Sequence, residues 1–269
     1  MKSILSVKFK FASCSFICGI LPAIFIVLSI IGTSWAAFES VLSDPSLRIR
    51  RSAFKFQDSD RASLRFNNLR RFDLPELSVN RMDGLYKVGS MRLLAGWAGC
   101  GDELYRESKL YLGAGKSFGF CDIEADVGWY SLDVKDFCTH SYFGGCVVAS
   151  GEFGIFPMLE VGIEAIQAPD IGFDGNVPFM GWSILQLNEW ELLSVSGGLI
   201  FPGEWDASMM MSVTGMFSSQ FGYEFGLQNA PHKVSGGVIV DLGKFQANAR
   251  VKYQPKLGLE QGIGIGLKF

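Results

Sequence analysis

The sequence predicts an all-β protein, a transmembrane antiparallel β-barrel of about fourteen strands, and three observations carry that prediction. Apolar residues recur at every second position in segment after segment between residues 61 and 269. Successive strand side chains point to opposite faces, so each such segment has one apolar face and one polar or glycine face. A single long apolar run exists, Phe16 to Gly32, where a helical membrane protein needs several runs of about 18 or more residues. The chain closes on Gln261-Gly-Ile-Gly-Ile-Gly-Leu-Lys-Phe269, an alternating strand with a terminal aromatic residue.

Composition removes other classes. The 269 residues carry 24 Lys and Arg against 27 Asp and Glu and are 48% hydrophobic. Such a chain is not disordered, and its charge argues against a nucleic-acid binder.

Taken in order, Lys2, Lys8 and Lys10 precede the apolar run and Ser34-Trp35-Ala36 follows it. Charged, apolar and small-residue regions in that order read as a secretory signal peptide over residues 1–36, with an uncleaved anchor helix as the alternative. Residues 37–60 form a basic N-terminal segment, a candidate plug. Residues 37–92 hold 11 Lys and Arg and 7 Asp and Glu, whereas residues 93–269 hold 10 and 20. That partition suits a basic segment against an acidic body, or simply a solvated basic face.

Residues 61–269 read as the barrel. Strands are expected near 61–70, 76–87, 89–98, 106–116, 121–130, 142–152, 158–166, 178–187, 191–200, 206–216, 220–228, 232–241, 245–253 and 259–269. About ten residues suffice to cross a tilted barrel wall. The alternation is cleanest in Phe245 to Tyr253, where the even positions are Gln246, Asn248, Arg250 and Lys252. The second strand, with Arg81 and Asp83 on the face of Leu77 and Val79, breaks the pattern, so twelve strands is the fallback. Long connections at 131–141, 167–177 and 201–205 fall on one end and short ones at 117–120, 188–190 and 242–244 on the other, as an outer-membrane barrel requires. A soluble β-sandwich also alternates. The export signal, the aromatics and methionines on the apolar face (Trp97, Trp129, Met209, Met211, Phe217, Tyr223) and the final strand favour the barrel. A lipid-exposed sheet cannot leave an unpaired edge, so it closes on itself.

The polar face supplies the candidate site. Glu124, Asp126, Glu160, Glu164 and Glu224, with Arg92, Arg250 and Lys252, are lumen-lining candidates; they line a polar pore or pair with one another and Arg65. His140 and His232 are read in outer loops, and His140 beside Ser141 has no acid placed by spacing, so no catalysis is expected. No metal-ligand spacing occurs, and no cofactor is expected. Gly115-Lys-Ser117 lacks the preceding glycine of a phosphate loop, because position 110 is Leu. Cys138 and Cys146 are read on either side of one outer hairpin tip, which leaves a disulfide open to them; Cys100 and Cys121 lie too far apart to pair.

Tyr223-Glu-Phe-Gly, Gly236-Gly-Val-Ile-Val, the strand Gln246 to Tyr253, Leu257-Gly and the final strand to Phe269 resemble the closing hairpins of one outer-membrane group. That group comprises barrels akin to the long-chain fatty-acid transporter (FadL-like) and the PorV-like proteins. Leu74-Pro-Glu-Leu77 and Gly101-Asp-Glu-Leu-Tyr-Arg106 are similar to its early hairpins. The final strand, with Gly264, Leu267 and Phe269, resembles the C-terminal signal read by the barrel-assembly machinery. The resemblance implies fourteen strands, an N-terminal plug and a Gram-negative outer-membrane location with outer-membrane lipid around it. It implies passive, porin-like transport of small hydrophobic or amphipathic solutes. The alternative is a non-conducting barrel that docks a secretion or surface protein. Asp44-Pro-Ser-Leu-Arg-Ile-Arg-Arg-Ser-Ala53 departs from the group's Asn-Pro-Ala-like turn, which leaves the plug open.

Overall fold

A computed structural model describes residues 61–119, 121–153, 156–167, 179–190, 193–202 and 207–269. The expected signal peptide, the basic 37–60 segment and most of the connections at 167–177 and 201–205 lie outside the described residues. The strands are β1 Ala62–Arg71, β2 Leu74–Val88, β3 Met91–Gly101, β4 Tyr105–Ser117, β5 Cys121–Val134, β6 Cys138–Phe153 and β7 Phe156–Gln167. They continue as β8 Phe179–Trp190, β9 Leu193–Pro202, β10 Ser208–Met216, β11 Phe221–Asn229, β12 His232–Asp241, β13 Phe245–Gln254 and β14 Gly258–Lys268. Each pairs antiparallel with its sequence neighbours, and β1 pairs β14 from Ser63↔Lys268 to Arg71↔Glu260, closing a barrel of fourteen strands. An even strand number brings Arg61 and Phe269 to the same end, where the Arg61 N–H donates to the Phe269 carbonyl at 2.8 Å.

The two-residue period becomes an outer and an inner wall. Val127, Phe143, Leu112 and Leu110 face outward and are 58–72% exposed, and Ile263, Ile265 and Leu267 face outward along β14. Alternating with them, Gly262, Gly264 and Gly266 turn inward. Away from the termini the polarity of the two faces inverts. On β1 Leu69 is buried inside while Asn68 and Arg70 face out; on β2 Val79 packs inside while Asn80 faces out. The inversion explains the weak alternation of the second strand: Leu77 and Val79 share the inner face with Arg81 and Asp83.

The same inversion corrects the connection expected at 131–141. β5 runs on to Val134 and β6 starts at Cys138, leaving residues 135–137 as the turn. Leu132 and Tyr142 bury inward, while Asp133 and Thr139 face out and join through a Thr139 hydroxyl donated at 2.8 Å. β8 likewise continues through Trp190, past the turn expected at 188–190, with a register shift between Asn188 and Trp190.

The turn between β3 and β4 shows how local chemistry sets an end. Gly101 holds a φ of 109°, which favours glycine, and a Cβ there would collide with the Tyr105 carbonyl. The Leu104 and Tyr105 N–H groups donate to Asp102 Oδ1 at 2.8 and 3.1 Å. Those two donors hold the Asp102 carboxyl below its usual range.

Candidate functional site: the bore

The inner wall of β2–β8 is built from large side chains that reach across the bore. Leu110 and Leu112 point outward, so Lys109 and Tyr111 of β4 must point in. Lys109 Nζ reaches Glu164 of β7 at 2.5 Å, with both side chains almost wholly buried. The Tyr130 hydroxyl donates to the same Glu164 oxygen at 2.6 Å. The Lys109 ammonium also stands over the rings of Tyr111 and Tyr130, 4.7 and 5.4 Å from their centroids. Beside this pair, Arg81 Nε binds both Asp83 oxygens at 3.0 and 3.1 Å, and the Tyr111 hydroxyl donates to Asp83. Trp182 Nε1 donates to Glu160 at 2.9 Å.

Glycines let these rings lie against the wall. A Cβ on Gly144 would sit 2.5 Å from the Ala165 carbonyl oxygen and 2.7 Å from the Tyr130 ring. Glycine at that site therefore admits Tyr130 to Glu164.

Toward the end remote from the termini, the bore is filled by an apolar layer that includes Cys100, Leu132, Tyr142, Ile166, Met180, Ile200 and Met210. Toward the termini it is polar. Arg92 binds Asp122 at 2.8 Å and Glu124 at 3.6 Å, and Asp241 accepts from Gln246 at 2.6 Å with Lys268 Nζ at 3.9 Å. On β3–β10 an apolar cluster thus sits over a paired-charge layer, with Glu107 buried in it between Cys100 and Leu132, while Lys233 and Glu260 pair at the same end on β12 and β14.

Glu124, Asp126, Glu160, Glu164, Glu224, Arg92, Arg250 and Lys252 all stand on the inner face. The structure brings Glu124 to Arg92, but it gives Glu164 to Lys109 and Glu160 to Trp182. Sequence reasoning missed Lys109; the apolar outward pair Leu110 and Leu112 was the signal that places it. Gly264 faces inward, and Leu267 and Phe269 face outward, with Phe269 67% exposed. His140 lies in β6, not in a loop, and His232 opens β12. Adjacent strand residues point to opposite faces, so His140 and Ser141 do not meet; the His140 ring stacks on Tyr142 instead.

A disulfide between Cys138 and Cys146 is overturned. Both lie on β6, eight residues apart along one strand, which is about 26 Å, whereas bridged Cα atoms stand within about 7 Å. None of Cys100, Cys121, Cys138 and Cys146 is disulfide-bonded. Denatured under non-reducing conditions, each of the four is expected to take up iodoacetamide without prior reductant; peptide mass mapping reads this, and two protected thiols would contradict it.

No known family profile matches the chain, and no curated protein does. Solved structures do. The chain is similar to the CymD monoaromatic hydrocarbon channel, at 9% identity and a TM-score of 0.58, over 89% of this chain and 95% of that one. It is similar to the P. putida toluene transporter TodX, at 9% identity and a TM-score of 0.56, over 88% and 96%. It is also similar to the Acinetobacter baumannii outer membrane protein Omp33, at 8% identity and a TM-score of 0.51, over 78% and 98%. Likeness at such identity is likeness of fold, and the fold in this chain is a closed antiparallel β-barrel of fourteen strands.

Proposed function

We propose that the protein resides in the outer membrane of a Gram-negative-type bacterium, exported on residues 1–36, and passes small hydrophobic or amphipathic solutes passively. The observation that carries this reading is the bore itself, with an apolar cluster on β3–β10 at the end remote from the termini and paired charges below it, inside a wall whose outer face is apolar across its middle. Such an axis gives an amphipathic solute a favourable surface for each of its ends. The similar folds of a hydrocarbon channel and a toluene transporter support it. The termini then face the periplasm, outer-membrane lipid covers Val127 and its neighbours, and the barrel-assembly machinery reads the strand ending at Phe269. Residues 37–60 act as a basic plug against the acidic bore.

A second reading, a non-conducting barrel that docks a secretion or surface protein, draws on the buried Lys109–Glu164 pair and its aromatic neighbours, which fill part of the bore with the barrel's own side chains. Liposome swelling separates the two. Protein-containing vesicles are expected to admit butyl glucoside, a short amphipathic glycoside, faster than protein-free vesicles. No acceleration for butyl glucoside or glucose, with and without residues 37–60, overturns transport and leaves docking.

A further inference from the structure

The inner walls of the two halves differ in mass. Along one ladder row, β2 to β6 carry Arg81, Ala98, Lys109, Tyr130 and Tyr142, whereas along another β9 to β12 carry Ser196, Ser212, Gly226 and Ser235. Four adjacent strands with hydroxyl or hydrogen side chains form a notch about 14 Å wide, at about 4.8 Å per strand.

The notch holds a cavity of ≈ 40 Å³, lined on the inner face by Met210, Ser212, Glu224, Ser235, Lys233 and Lys252, among others. That space admits a water-sized polar group. Ser212 is 8% exposed, and its Oγ has no hydrogen-bond partner among the described residues. A buried hydroxyl without a partner costs free energy that a ligand atom can recover. The surrounding charges balance. Lys233, Lys252 and Glu224 line the cavity, and Lys233 reaches Glu260 at 3.6 Å, so a ligand ion meets two cations and two carboxylates. A neutral hydrogen-bonding head gains the Ser212 bond without disturbing that balance. Met210 lines the same cavity and belongs to the apolar layer with Ile200 and Met180, so an apolar body attached to that head has a surface ready beside it.

We propose that this notch on β9–β12 is the polar subsite of the solute path, taking the uncharged hydroxyl-bearing head of an amphipathic solute, while the β2–β8 side serves as a fixed wall. The inference deepens the transport reading and rests on it. Its test places a thiol at the site after folding. Ser212→Cys and Ser235→Cys are reconstituted, labelled with a bulky methanethiosulfonate and assayed for butyl glucoside entry. Ser150→Cys, on the inner face of β6, is the control, and the native chain with its own cysteines sets the baseline through the same labelling. Labelling at 212 or 235 is expected to slow entry about fivefold or more, and labelling at 150 to leave it within about twofold. Entry that stays at the native rate after complete labelling at 212 and 235, or that is blocked equally from 150, overturns the notch alone. Absence of entry through the native protein overturns the transport reading, and the subsite falls with it.

Discussion

Glu164→Ala is expected to destabilise the folded barrel by about 3–5 kcal/mol, because it leaves the Lys109 ammonium buried without the carboxylate it faces. The magnitude follows from burial on both sides: Lys109 and Glu164 have side-chain exposures of 2% and 0%, at 2.5 Å. Tyr130 aggravates the loss, since its hydroxyl donates to the same oxygen and shares the Lys109 cation over its ring. The cost belongs to the stranded charge, not to the pair. Lys109→Met with Glu164→Leu removes both charges at similar volume and is expected to restore most of the stability. The temperature at which the compact band on an unheated gel converts to the extended one reads both variants. A single variant within about 1 kcal/mol of the native protein would mean that water reaches the pair. The double variant also bears on docking against transport. If side-chain filling on β2–β8 is a fixed wall, removing the charges there leaves butyl glucoside entry unchanged.

The strand pattern was legible because the outer wall and the bore place opposite demands on alternate residues. Phe245 to Tyr253 and the run to Phe269 display both demands, and β13 and β14 fall within a residue of their expected bounds. Where the demands relax, the pattern misleads. Leu132 and Val134 point inward with Ser131 and Asp133 outward, the reverse of the lower wall, and a search for apolar-out alternation ends the strand too soon. At the end remote from the termini, β1, β2, β5 and β6 pack apolar side chains inward and polar ones outward, as in a soluble barrel, whereas β10 to β13 keep Met209, Leu227, Val234 and Tyr253 exposed on the outer face. The inner residues themselves were legible as one face of each strand; their partners were not. Lys109 reaches Glu164 across two intervening strands, and nothing in local spacing encodes a contact 55 residues apart. The Cys138 and Cys146 expectation failed for the same reason as the loop: a hairpin tip thought to lie between them lies before both.

Val127→Arg is expected to cost about 2–4 kcal/mol in lipid vesicles, and this separates a membrane wall from an aqueous one. Val127 stands at the middle of β5, faces outward and is 72% exposed, between Leu112 and Gly145 on its flanking strands. In water a surface position of that kind accepts arginine within about 0.5 kcal/mol, since nothing is buried there to lose. In hydrocarbon the guanidinium must be dehydrated or drag water inward, and the penalty depends on depth. Thr139→Arg, on the outward face of β6 near the turn at 135–137, is expected to cost at most about 1 kcal/mol, because the inverted polarity there marks the edge of the apolar belt. Ile263→Arg, midway along β14, should behave like Val127→Arg and places the belt across the β1–β14 seam as well. Urea unfolding from vesicles of defined lipid gives the three values. Equal, near-zero costs at 127, 139 and 263 would require that the outer wall faces water along its whole height, and export to a membrane would lose its physical basis.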